Sequence, residues 1–394
     1  MPVALSLSAS ECAETDRFVW DHPDFLPIFS SGNYGERGAQ SVVSPGTAKN
    51  ALCVGAVANV LVAPSAGSNY FCPAQPSAHS NPFQPQSSAA GAGAGAAGGD
   101  IDHEPAAEDE SVSMSRLLSF VSGAGLSYDT RFKPEVVAPG HYVVSARSGG
   151  HADSDGCHSC AESLMALFGT SMSAAVTAGA AALARQYFIE GRYPSGAPVA
   201  AHAFTPSAAL LKATLIHSAV PDTVESPPSG AGFSFAELNP TAAAPIPRQT
   251  GPTPKSGFGR VQLDTALKLA PPAAGQPQSP LEMFVADQAK ISTDEVHSYC
   301  FRIRGGGGGG GGAGTVAGQW QTAPLALTSP LDFRATLVWS DPPAALAASW
   351  LLINNLDLRY GPHIRIRHPG ASPRPRGARP GARALHCFWL FSLM

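Results

Sequence analysis

The chain has 394 residues, a formal net charge of −4 and 44% hydrophobic side chains, enough for a sizeable core and too patterned for a fibre or a wholly disordered chain. Seven of its 25 basic residues follow Asp357, so the other 18 face all 29 acidic ones and the body carries −11. That balance argues against nucleic acid as a partner, because phosphate contact needs clustered cations. No apolar run reaches 18 residues, and the first residues lack the basic and apolar stretches of a signal peptide, so neither a membrane span nor an export signal is read here.

In chain order, short apolar runs suited to buried strands lie at Phe25–Phe29, Ala51–Val57, Pro134–Ala138, Tyr142–Ala146 and Leu164–Phe168. Helical patterns follow at Met172–Ile189 and Pro206–Ser218, the second placing Leu210, Leu211, Thr214, Leu215 and Ser218 on one side. Strands interleaved with small-residue helices predict an α/β domain with a parallel sheet. Beyond Leu281 the runs VHSYCFRI, FRATLVWS and LLINNLDL predict a separate β domain. Glycine (41) and proline (36) make about a fifth of the chain, concentrated in filler: an insertion at 63–113, the stretch Pro221–Pro254 and a Gly-rich loop at 305–314. The expected division is 1–275, 281–360 and an irregular Arg/Pro-rich tail at 361–394.

The most informative stretch is Leu164–Ala184, LMALFGTSMSAAVTAGAAALA, where an apolar strand meets Gly169-Thr170 and then a helix of small residues. Ser171 falls at the helix N-terminus, where free N–H groups and the positive end of the dipole would stabilise an oxyanion formed by its attack on a carbonyl. The bland reading of the same residue is an N-cap on a core helix. The Ala/Gly run from Ala174 to Ala182 is expected to bury this helix closely against its neighbours. His217 reads as a packed core histidine. The cluster His151, Asp153, Asp155, Cys157, His158 and Cys160 supplies only half a zinc site and reads as surface thiols or a disulfide. The seven cysteines show no framework spacing.

Read whole, Gly169-Thr170-Ser171-Met172-Ser173 followed by Ala178-Gly179 resembles the nucleophile motif of the subtilases, the subtilisin-like serine peptidases. Phe29-Ser30-Ser31-Gly32-Asn33 resembles the family's oxyanion strand end, Ser44-Pro45-Gly46-Thr47 with Val54-Gly55-Ala56 its next loop and strand, and Lys133-Pro134-Glu135-Val136-Val137-Ala138-Pro139-Gly140 the segment before the nucleophile. Lys212-Ala213-Thr214-Leu215-Ile216 resembles the family helix after the nucleophile, and Gly257-Phe258-Gly259-Arg260-Val261 resembles the end of the peptidase domain. Leu337-Val338-Trp339-Ser340-Asp341 and Asn354-Asn355-Leu356-Asp357 resemble the jelly-roll domain of one group of large subtilases.

The resemblance implies a doubly wound parallel-sheet α/β domain, then a smaller β-sandwich of jelly-roll type. It implies a serine endopeptidase acting on proteins or peptides through an acyl-enzyme and an Asp/His/Ser triad. Ser171 matches the nucleophile and Asn33 the oxyanion donor, with Ser30, Ser31 and Gly32 lining the substrate backbone. No cofactor is required; a structural calcium ion is admitted, with Asp341 and Asp357 as carboxylates that could ligate it or serve strand-end turns. The family's Asp-Thr/Ser-Gly and His-Gly-Thr-His motifs are not in the sequence, and His22, followed by Pro23, is a poor base. The expectation is therefore an N-terminally incomplete peptidase domain; the alternative is an inactive pseudopeptidase that binds through its β-sandwich. The family is often secreted or in the endomembrane system, and the compartment of this chain stays open.

Overall fold

The computed structural model describes residues 2–59, 116–141, 143–146, 164–223, 251–270, 281–293, 295–299, 333–346, 348–359, 364–367 and 385–393. The expected insertion at 63–113, the His151–Cys160 cluster and the Gly-rich loop lie outside these residues, as does most of the Pro221–Pro254 stretch.

Helix α1 (Pro2–Asp21) opens the chain and was not expected from the sequence. Its buried residues Cys12, Asp16 and Val19 recur at i, i+4 and i+7, a helical stripe. Strands β1 (Ile28–Ser30), β2 (Leu52–Val57) and β3 (Val136–Pro139) form a parallel sheet in the order β1-β2-β3. All six residues of β2 are buried, as an apolar run covered on both faces requires. Strands β4 (Val143–Ala146) and β5 (Leu164–Leu167) do not join that sheet; they pair with each other antiparallel.

Helix α2 (Thr170–Ile189) packs on β1, β2 and β3 through Thr170, Ser173, Thr177, Ala181, Ala184 and Phe188. The expectation that its Ala/Gly run is buried fails: Ala175, Ala178, Gly179 and Ala182 are exposed. The sheet takes the stripe of hydroxyls and alanines that includes Ala181, and most of the run faces outward or sits at the edge of the contact. Helix α3 (Ala208–His217) is buried on every side rather than on one. One side meets α2, and the other is covered by strands of the β part.

Around α3 lies a cluster of buried charge. The Glu135 carboxylate, just before β3, takes the Lys133 ammonium at 2.6 Å, the Lys212 ammonium at 2.7 Å and the Cys53 N–H at 2.7 Å. Both ammonium groups also donate to backbone carbonyls, Lys133 to Ala48 and Ala51, Lys212 to Lys49 and Ala51. Burial alone would raise the Glu135 pKa, but the two lysines hold it below the ordinary carboxylate range. Burial pushes Lys212 down to about 8, against the pull of Glu135.

The β part contains two three-stranded antiparallel sheets. In one, β11 (Leu385–Leu393) lies between β6 (Glu282–Ile291) and β8 (Phe333–Trp339); in the other, β10 (Ile364–Arg367) lies between β7 (Ser298–Tyr299) and β9 (Asp357–Arg359). Two of these strands fall in the tail expected to be irregular. The Ile/Arg alternation of 364–367 and the apolar run LHCFWLFSL carry strand patterning that the Pro/Arg composition between them masks.

In β6, Met283 and Val285 join the apolar core that also holds α3, while Phe284 and Ala286 face a second apolar cluster with Tyr299, Ala335, Leu337, Trp339, Leu358 and Trp20 of α1. After Ala286 the parity switches, so that Ala289 and Ile291 face that same cluster. The switch is a bulge: the register with β11 shifts there and Gln288 has φ 56°. Asp287, displaced by the bulge, accepts the Ser207 N–H and hydroxyl, and Ser207 in turn caps α3 by accepting the Leu210 N–H.

Glu135→Gln leaves two buried ammonium groups facing a neutral amide, and a loss of about 3–5 kcal/mol is expected in urea unfolding. Because the folded pKa of Glu135 is depressed, its contribution is present above the unfolded value and is lost as pH falls through the folded one. The native chain should therefore lose stability below about pH 4 more steeply than the Gln variant, measured by unfolding across an acid pH series.

Candidate active site

The carboxyl ends of the parallel strands converge on the start of α2, the usual place for a site in such a sheet. The chain leaves β1 at Ser30 and reaches Asn33 three residues later; β3 ends at Pro139, and Gly140 follows. The Gly140 N–H donates to the Val57 carbonyl at 2.9 Å, and the Gly140 carbonyl accepts the Gly169 N–H at 2.7 Å. The turn that delivers Ser171 is thus tied to the ends of both β2 and β3.

Gly169 has φ 136°, a conformation open to glycine, and a Cβ there would stand 3.1 Å from Asn33 Nδ2. The next residue, Thr170, is fully buried and gives both its N–H and its hydroxyl to Asn33 Oδ1, each at 2.9 Å. A backbone N–H can only donate, so this pair fixes which way the carboxamide is turned. Oδ1 faces Thr170 and Nδ2 points the other way, a donor held in place. Ser171 follows in the first turn of α2 and is exposed. Among the described residues neither its hydroxyl nor its N–H has a hydrogen-bond partner, the second being one of the donors that a helix start leaves over.

The structure therefore brings Ser171 and Asn33 together through Thr170. The preceding segment is used differently. Ser31 is buried, its N–H donates to Val54 and its carbonyl accepts the Val43 N–H, while the Gly32 carbonyl accepts the Gly123 N–H. His22 directly follows α1, with its ring 4.4 Å from that of Phe18. His217 is fully buried, its Nδ1 2.8 Å from the Thr336 hydroxyl, and burial, with Arg334 nearby, pushes its pKa down to about 3.

Sequence reasoning gave no role to His141, which directly follows Pro139-Gly140. Its Nε2 is 2.6 Å from the Ser119 hydroxyl, its ring meets those of Phe120 and Phe168 edge-on, and burial lowers its pKa. Its place directly after the Pro139-Gly140 motif was the signal the sequence offered.

Among the described residues no group of three or more His, Cys, Asp or Glu is arranged to hold a metal ion. Asp341 in particular does not look like a calcium ligand. Oδ2 takes the Lys49 ammonium at 2.6 Å and the Ile353 N–H, and Oδ1 takes the Asn354 N–H and side-chain amide. Four donors fill the carboxylate, the turn role that was the other reading of this residue.

The sequence model of the Subtilase family matches residues 5–259, more than half of the chain. The chain belongs to the subtilase family. Its class is accordingly that of serine-type peptidases. It is also similar to three Dictyostelium discoideum proteins. It is 27% identical to "Serine protease/ABC transporter B family protein tagA" over 87% of this chain and 19% of that protein. It is 26% identical to the tagD protein of the same description over 89% and 20%, and 30% identical to the tagB protein over 65% and 13%. The chain thus spans about a fifth or less of the length of these relatives. Among the described residues no helix is long and apolar enough to cross a membrane.

Two glycines of this subtilase separate site geometry from helix propensity. Gly169→Ala forces a side chain into positive φ beside Asn33 and should cost about 1 kcal/mol or more. Gly179→Ala, mid-helix with no heavy atom near, should stabilise by up to about 1 kcal/mol. Denaturant titration of the two variants checks both signs.

Proposed function

We propose that this chain carries the nucleophile and oxyanion half of a serine endopeptidase. Ser171 Oγ attacks the scissile carbonyl, and the resulting oxyanion is received by Asn33 Nδ2 and the Ser171 N–H. The observation that supports this reading is the Thr170 pair on Asn33 Oδ1, which keeps Nδ2 as an oriented donor while the neighbouring Ser171 stands exposed. Ser30, Ser31 and Gly32 would form the floor of the substrate groove; since the Ser31 and Gly32 backbone groups named above are spent within the fold, their contribution is shape. Proton transfer follows the family's triad, with a histidine base oriented by an aspartate, and hydrolysis needs no cofactor. Calcium would be a structural ion at a place other than Asp341.

The two antiparallel sheets share one apolar cluster, which supports a β-sandwich of jelly-roll type at 281–360, extended by β10 and β11. We propose that it serves the peptidase core as a structural partner. A second reading, a pseudopeptidase that binds through this sandwich, draws on one observation: Ser171 Oγ has no basic partner among the described residues.

A fluorophosphonate probe decides between them when applied to the protein as expressed by its own gene. Labelling at Ser171, lost in Ser171→Ala, is expected; no labelling would favour the binding protein. Asn33→Ala should lower turnover ~10²–10³-fold in a peptide-hydrolysis assay, a magnitude taken over from a subtilisin's oxyanion asparagine.

A further inference from the structure

The loop from Ser41 to Ala51 backs the strand end that carries Asn33. The Val43 N–H donates to the Ser31 carbonyl at 3.1 Å. A Cβ on Gly32 would lie 2.8 Å from a Val43 methyl, and one on Gly46 would lie 3.0 Å from the Ser30 carbonyl oxygen. Ser30, Ser31 and Gly32 thus rest directly on this loop, and any shift of the loop reaches Asn33 within one or two residues.

The far end of the loop is held from outside the family-matched region. Asp341, almost without solvent exposure, reaches from the turn after β8 to the Lys49 ammonium at 2.6 Å. Lys49 also donates to the Pro342 and Leu351 carbonyls, at 2.6 and 2.8 Å. Beside it, Asn50 exchanges two bonds with the Asp341 backbone: Oδ1 accepts the Asp341 N–H and Nδ2 donates to the Asp341 carbonyl, both at 2.9 Å. Asn50 is also paired with Asp16 of α1. A buried ion pair with every remaining donor and acceptor satisfied specifies one geometry more than it adds stability.

We infer that Asp341 is a positioning residue for the Asn33–Ser171 site: from the β part it fixes Lys49 and Asn50, and through them the loop on which the Asn33 strand end rests. The proposal deepens the peptidase reading by making the β part a contributor to oxyanion geometry. Its structural test, however, is independent of catalysis.

Amide hydrogen exchange in the whole chain is the experiment, with Asp341→Asn and Lys49→Met breaking the same tie from opposite sides. The informative amides are Val43, which bonds to Ser31, and Thr170, which bonds to Asn33. Tyr187 and Phe188 at the other end of α2 are the controls. In both variants, exchange at Val43 and Thr170 should rise at least tenfold while the controls change less than twofold. Unchanged exchange at Thr170 in a folded variant overturns the proposal. A uniform rise at all four amides, or failure of both variants to fold, also overturns it by making Asp341 a general stability element. Absence of probe labelling at Ser171 would sink the peptidase reading and leave this measurement fully interpretable.

Discussion

The structure depends on a carboxylate that has been taken out of water. Glu135 sits between two buried ammonium groups, and each of these reaches past it to the carbonyls of residues 48–51. Such a pair is costly to bury and tolerable only when every proton and lone pair is used. Here each ammonium group has three acceptors and both carboxylate oxygens accept, so the cluster works as a geometric lock. It joins the lead-in to β3, the loop before β2 and helix α3, and a second buried pair, Lys49 with Asp341, extends it to the β part. With β2 and β3 fixed in register at their starts, their ends present Val57 and Gly140 to the turn that delivers Ser171.

Much of this was legible in the sequence, for identifiable reasons. β2 is a continuous apolar run, α2 is long and lies between Gly169 and Gly191, and both lie where the pattern puts them. The motif Gly169-Thr170-Ser171 and the run ending in Asn33 supplied the two halves of the candidate site. What the sequence did not display was the bond between them, since Thr170 and Asn33 are 137 positions apart and nothing local announces that Oδ1 faces the helix. α1 escaped because its stripe mixes a thiol, a carboxylate and a valine, and its core contacts come from the loop at 44–50. β10 and β11 escaped because the Pro/Arg-rich composition around them hides two short runs of strand pattern.

The β part also changes how α3 should be understood. A ten-residue helix with a lysine, a threonine and a histidine reads as one-sided, yet every residue is buried. Each polar group has its own arrangement: Lys212 with Glu135, Thr214 with the Leu210 carbonyl, His217 with Thr336. Met283 and Val338 complete the same apolar core as Leu52 and Phe188. The region matched to the subtilase family and the β strands after it are thus packed as one body.

The central claim is that Asn33 Nδ2 is aimed, before substrate arrives, at the place where charge develops on a carbonyl attacked by Ser171. A crystal structure of the protein as expressed by its own gene, after reaction with a peptidyl phosphonate, tests it most directly. The account predicts a covalent bond from Ser171 Oγ to phosphorus, with a phosphoryl oxygen about 2.7–3.1 Å from Asn33 Nδ2 and from the Ser171 N–H. An adduct on another residue, or one whose oxygen turns away from Asn33 while Thr170 still holds Oδ1, would contradict it.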